Sequence, residues 1–166
     1  MKKAVFFVAT LFITLSVFAQ KDAKSVNFSL NYGTEIESVG IGGQFTYNLS
    51  ERFRVAPDFT YFLENNNWKE WDLNLNAHYL FPLNDSKITI YPIAGFILTH
   101  WSFDDGTEAG SNKPTSLSAT KVGFNLGGGM QYAFSNTFFF RGELKYNSTS
   151  EYYNQTVISA GLGFNF

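Results

Sequence analysis

The chain contains no cysteine, little charge and, beyond its first residues, no long apolar run. With zero Cys among 166 residues, a disulfide framework, an iron–sulfur cluster and a thiol nucleophile are all excluded. Charged residues make up 16% of the sequence, against about a quarter in a soluble domain, so its surface is short of what water demands. The net charge of −2 and the lack of a polybasic run argue against nucleic-acid binding. Aromatics, by contrast, are plentiful: 19 Phe, 9 Tyr and 3 Trp, or 19% of the chain. That load excludes intrinsic disorder, because it supplies ample apolar surface to bury. The length suits one domain, and the composition leans toward a membrane.

The first 19 residues read as a targeting segment. Lys2 and Lys3 form a positive start, Ala4 to Val17 is uncharged and apolar, and Val17-Phe18-Ala19 offers a signal-peptidase site. As a helix the apolar stretch would span about 21 Å, short of the roughly 30 Å hydrocarbon core. A cleaved signal peptide, residues 1–19, is expected rather than an anchor, with the domain at 20–166.

The rest of the chain alternates with period two, the mark of strands. Val26, Phe28, Leu30 and Tyr32 alternate with polar or small residues, and so do Val39, Ile41, Gly43, Phe45 and Tyr47. Phe53 to Tyr61, Trp71 to Phe81, Val122 to Phe134, Phe138 to Tyr146 and Thr156 to Phe166 repeat the pattern. Ile88 to Trp101 makes a further strand that is apolar on both faces, and its register stays open. None of the alternating apolar rows holds Asp, Glu, Lys or Arg. The complementary rows are Gly, Asn, Ser, Thr and Gln, with a few charges among them.

Small polar side chains suit a narrow lumen and bulky apolar ones suit lipid, where a Lys or Arg at the midplane costs about 2–4 kcal/mol. The inverse arrangement, a soluble periplasmic lipocalin-like binding barrel, would crowd most aromatics into one small interior. Connections alternate as well. Asn48–Arg52, Pro82–Ser86 and Ser135–Thr137 are short, whereas Leu63–Glu70, Ser102–Thr120 and Ser148–Asn154 read as longer outer loops. Sixteen strands would need about 160 residues before any loop, which excludes a large porin. The expected fold is all-β: an eight-stranded antiparallel transmembrane β-barrel, an up-and-down meander in the outer membrane.

With these strands and the terminus Ser159-Ala-Gly161-Leu-Gly-Phe164-Asn-Phe166, the chain resembles the small bacterial outer-membrane β-barrels of the OmpA/OmpX type, over Ser25 to Phe166. The resemblance implies that Ser159, Gly161, Phe164 and Phe166 form an assembly signal read by the barrel-assembly machinery. It also implies outer-membrane lipid and lipopolysaccharide as surroundings, and a monomer. No metal or cofactor is expected. Asp104-Asp105-Gly106 with Glu108 lacks a full calcium ligand set and reads as a solvated loop.

Two sets of residues are candidates for function. Arg54, Asp58, Asp72, Arg141, Glu143 and Lys145 fall on lumen rows, with His78 as a further filler. An eight-stranded interior is just wide enough for side chains to fill, so opposite charges there are expected to pair and form a plug rather than a channel. His100 and Ser102 share one strand face. With Glu108 they have the residue types of an acyl-transfer triad and resemble the His-x-Ser pair of lipid A deacylase barrels. Phe103 stands where that family has Asn, and Glu108 comes early, so a non-enzymatic barrel is the expectation. The aromatics divide into an outer girdle (Tyr61, Trp68, Trp71, Trp101, Tyr146, Tyr152, Tyr153) and an inner one (Tyr47, Phe53, Phe81, Phe134, Phe138, Phe166).

Overall fold

The computed structural model describes residues 22–83, 87–105, 115–150 and 153–166. The targeting segment, Glu108 and Tyr152 lie outside them. Eight strands follow in chain order: β1 (Lys24–Gly33), β2 (Ser38–Asn48), β3 (Phe53–Asn65), β4 (Trp68–Tyr79), β5 (Ile88–Asp105), β6 (Thr115–Ala133), β7 (Phe138–Ser150) and β8 (Tyr153–Asn165). Each pairs antiparallel with the next. β8 returns to β1, with Ser25 opposite Asn165 and Gly33 opposite Val157, and closes the sheet into a barrel. Among the described residues no helix is long and apolar enough to cross a membrane; the strands span it instead.

A two-residue piece, Phe81–Pro82, continues β4 along β5 after a break opposite Pro92. Proline has no N–H to give the ladder.

Alternation decides the two faces. Phe28, Leu30, Ile41, Phe59, Leu75, Phe124, Leu126 and Leu162 are exposed, while their neighbours Asn27, Asn31, Gln44, Asp58, Asn74, Asn76 and Asn125 are buried. The strand left open by sequence has Ile88, Ile90, Pro92, Ala94, Phe96 and Leu98 outward and Tyr91, Ile93, Ile97 and Thr99 inward.

The narrow interior is closed partly by aromatic rings lying over glycines of the neighbouring strand. Tyr91 faces Gly129 and Phe139 faces Gly163 across the ladder. A Cβ on Gly129 would lie 2.5 Å from the Tyr91 ring, and one on Gly163 would overlap that of Phe139. Any larger residue there would displace the ring.

The inner turns after β2 and after β6 share one design. The backbone N–H groups of Leu49 and Ser50 donate to Phe53 O, and those of Phe134 and Ser135 donate to Phe138 O. In each turn the serine Oγ accepts from the N–H groups two and three residues on.

The outer connections depart from the expected long loops. Leu63–Glu70 is strand apart from Asn66 and Asn67, whose φ values of 50° and 66° make a two-residue turn. Positive φ at both central positions gives the twist a hairpin needs, and Asn tolerates it. Strand structure likewise runs to Asp105 and resumes at Thr115, and on the far side runs to Ser150 and resumes at Tyr153. At 18 and 19 residues, β5 and β6 are nearly twice the roughly 9–11 residues that cross a membrane.

Two girdle assignments also change. Trp101 shares the inward parity of Ile97 and Thr99, and it packs against Trp68 at 5.3 Å. Trp68 also meets Phe103 at 5.0 Å. These rings line the inner side of the protruding strands rather than the lipid face, because the strands continue past the apolar belt with their alternation intact.

Candidate functional site

The lumen is organised around Asp58. It projects inward from β3, 6% exposed, and is held from three sides. Lys145 Nζ on β7 donates to both carboxylate oxygens at 3.2 and 3.0 Å. Asn74 Nδ2 and Asn76 Nδ2 on β4 donate at 2.7 and 2.6 Å. Gln44 Nε2 on β2 lies at 3.5 Å from Asp58 Oδ2 and 3.4 Å from Glu143 Oε2, joining two carboxylates. Because Asp58 can only accept, it fixes how each amide points. Asn74 Oδ1 is thereby free to accept from Asn125 Nδ2 at 2.8 Å, carrying the network to β6.

Glu143 is the second hub. Arg141 Nη1 lies 3.4 Å from its Oε1, and the Tyr91 hydroxyl donates to the same oxygen at 2.9 Å. Arg141 also sits 5.6 Å above the Phe139 ring. The other two predicted charges are held by neutral groups. Arg54 donates through Nε to Asn48 Oδ1 at 2.9 Å and through Nη1 to Gln131 Oε1 at 3.0 Å. Asp72 accepts from Thr99 Oγ1 at 2.6 Å and from Asn147 Nδ2 at 3.5 Å. Opposite charges therefore meet in Asp58–Lys145 and Arg141–Glu143, whereas Arg54 and Asp72 rest on neutral partners. Hydroxyls and amides occupy the places of counter-ions there, and sequence alternation says nothing about which rows meet across the barrel.

His78 is fully buried, stacked on Tyr91 at 4.7 Å, and neither ring nitrogen has a partner among the described residues. In mid-lumen the void bordered by Asn27, Gln44, Asp58, Arg141 and Glu143 is about 10 Å³, roughly the space of one water. Toward the inner mouth the lumen opens into a vestibule of about 950 Å³ bordered by Lys24, Asn48, Arg54, Gln131 and Asn165. Toward the outer mouth, Gln155 Nε2 donates to buried Glu70 at 2.8 Å, while its Oε1 accepts from Ile36 N at 3.2 Å. Asn65 Nδ2 ties the same turn by donating to the carbonyls of Ile36 and Glu37, each at 3.1 Å.

Sequence reading missed Tyr91, Glu70 and the amide relay. Tyr91 sat on a strand without alternation, and Glu70 sat in an assumed loop. The relay had a visible signal in the unbroken inward row Asp72, Asn74, Asn76, His78.

On the outer surface His100 and Ser102 point outward, in the register that reaches the outer leaflet. His100 Nδ1 lies 2.8 Å from Thr120 Oγ1, and its ring stacks on Trp71 at 5.3 Å and 25°. Ser102 Oγ makes no hydrogen bond among the described residues, and Glu108 lies outside them.

At the terminus, Phe166 N donates to Lys24 O at 3.0 Å and the Phe164 and Phe166 rings stack at 6.1 Å. Ser159 and Gly161 lie on the inward row of β8, opposite Glu143 and Arg141.

A closed eight-stranded meander with an apolar outside and a polar inside defines a small outer-membrane barrel. The family model described as outer membrane protein beta-barrel domain matches residues 5–166, and the chain belongs to that family. It is an outer-membrane protein. Its fold is similar to the N-terminal β-barrel domain of Pseudomonas aeruginosa OprF, with a TM-score of 0.70 at 19% identity, covering 88% of this chain and 98% of that one. It is also similar to Neisserial surface protein A (TM-score 0.65, 17% identity, 87% and 95% covered). Ail, the attachment invasion locus protein of Yersinia pestis, matches with a TM-score of 0.64 at 16% identity over 89% and 100%. No curated protein sequence matches the chain at a significant level.

Proposed function

We propose that this barrel is a non-conducting, non-enzymatic monomer whose lumen serves stability and whose outer face serves surface interaction. The observation that carries the reading is the hydrogen-bonded layer around Asp58. It spans the interior from β3 to β7 and borders a void of about 10 Å³. A continuous water path would have to break charge-assisted bonds, the strongest a lumen offers. The inner vestibule reaches Thr46, Arg54 and Leu80, on the inner side of this layer. Planar-bilayer recordings of the refolded barrel are expected to show no stable conductance step; a reproducible porin-like step would overturn the plug. The surface half of the proposal draws support from Ail, which has been solved in complex with the heparin analogue sucrose octasulfate.

An acyl hydrolase is the second reading, favoured by the outward register of His100 and Ser102. Against it, the Nδ1 position that a triad carboxylate would occupy is taken by the Thr120 hydroxyl. Mass spectra of lipid A from cells carrying wild type or Ser102→Ala are expected to be identical.

In the same proposal the terminal Ser159, Gly161, Phe164 and Phe166 direct assembly, and residues 1–19 direct export. Deleting Phe166 should lower the membrane-inserted fraction, read as loss of heat-modifiable migration. Unchanged insertion would remove that role.

A further inference from the structure

Across β4, β5 and β6 the outward side chains form rows set by the strand register, and the rows change character in one step. The row Leu75–Phe96–Phe124 and the next, Leu73–Leu98–Val122, are wholly apolar. The row above is Trp71–His100–Thr120, and above that lies Lys69–Ser102–Ser118. Successive rows are about 6.6 Å apart along a strand, so the polar rows begin one step beyond the last leucine row.

We propose that these two rows bind the phosphorylated sugar head group of an outer-leaflet glycolipid, with its acyl chains on the Leu73–Leu98–Val122 row. This deepens the surface-interaction half of the proposed function and rests on it. Three features carry the assignment. First, the imidazole is pre-set: Thr120 holds Nδ1 and Trp71 holds the ring face, so Nε2 is the nitrogen left for a ligand. Trp71 is itself backed by Phe59 at 6.1 Å, so the pair costs little ordering on binding. Second, the Ser102 hydroxyl is unengaged among the described residues and neighbours Lys69 across the ladder. Third, Lys69 supplies the cation. Its ammonium is held 3.4 Å from Glu64 with both side chains nearly half exposed, a weak pair that a phosphate dianion can displace. Lysine binds phosphate as a point charge and needs no bidentate geometry. An acyl hydrolase would need Ser102 deprotonated by His100; binding needs only the donors.

The test places the full barrel in phosphatidylcholine nanodiscs. The discs are doped with bis-phosphorylated lipid A, with its dephosphorylated form, or with phosphatidylglycerol, and native mass spectrometry counts lipids retained per barrel. Wild type is expected to retain one bis-phosphorylated lipid A in preference to either alternative. The double variant Lys69→Ala/His100→Ala should retain at least five-fold less, and Glu64→Gln should retain more. Heat-modifiable migration checks that each variant is folded, which is expected because none of the three touches the Asp58 layer. Equal retention of dephosphorylated lipid A or of phosphatidylglycerol, no retention by wild type, or a double variant that retains as wild type does would each overturn the assignment. A bilayer conductance step would overturn the plug and leave this result untouched.

Discussion

The two faces of the same strands are built on opposite rules. On the lipid face Phe28, Leu75, Phe124 and Leu162 need only be apolar and long, because fluid acyl chains fill whatever gap a different shape leaves. On the lumen face Asp58, Gln44, Asn74 and Lys145 each have named partners at fixed distance, and none can be exchanged without stranding another. Lipid supplies no hydrogen bonds and asks for none. A narrow interior supplies few waters, so its buried donors rely chiefly on protein acceptors. The difference teaches that this barrel has its specificity inside and its tolerance outside, the reverse of a soluble domain with an apolar core.

The largest break of that contrast should come from Asp58→Ala. It leaves the Lys145 ammonium buried without its counter-ion and removes the acceptor of Asn74 and Asn76. A cost of about 3–5 kcal/mol is expected, measured by equilibrium urea unfolding of the refolded barrel in lipid vesicles. Next comes Leu75→Arg, midway between Trp71 and Tyr79 on the lipid face of β4, with an expected cost of about 2–4 kcal/mol in the same titration. A charge is the one thing the tolerant face refuses. Tyr91→Phe removes only a hydroxyl, yet it takes one donor from Glu143 Oε1 while the stack on His78 remains. About 1.5–3 kcal/mol is expected for a hydrogen bond to a charged acceptor. The smallest effect belongs to Phe28→Leu on the lipid face, below about 1.5 kcal/mol. If Phe28→Leu costs as much as Tyr91→Phe, the contrast between the faces fails.

How far the sequence reached is clearest strand by strand. Seven of the outward rows follow from alternation, because lipid excludes charge so strongly that the pattern leaves no second register. β5 did not yield, since Ile93, Ile97 and Tyr91 make its lumen face as apolar as its lipid face. Only the ladder to β4 and β6 chose between them, and it sent His100 outward. The lumen charges were legible as inward residues and their partners were not. Asp58 meets Lys145 across the barrel at a sequence separation of 87 residues, and no local spacing records that. The outer hairpins were misread because Asn66-Asn67 is as polar as a loop, and the strands on either side carry their alternation beyond the belt.

By itself, then, the sequence determined which residues face lipid on seven strands, how many strands the chain affords and that they close in an outer membrane, because each of these follows from solvent preference along a single strand. The tertiary structure decided which inward residues meet: that Asp58 gathers four neighbours, that Arg54 rests on two amides and that Trp71 steadies His100. Those contacts depend on strand stagger and closure, which the chain fixes only when all eight strands are in register.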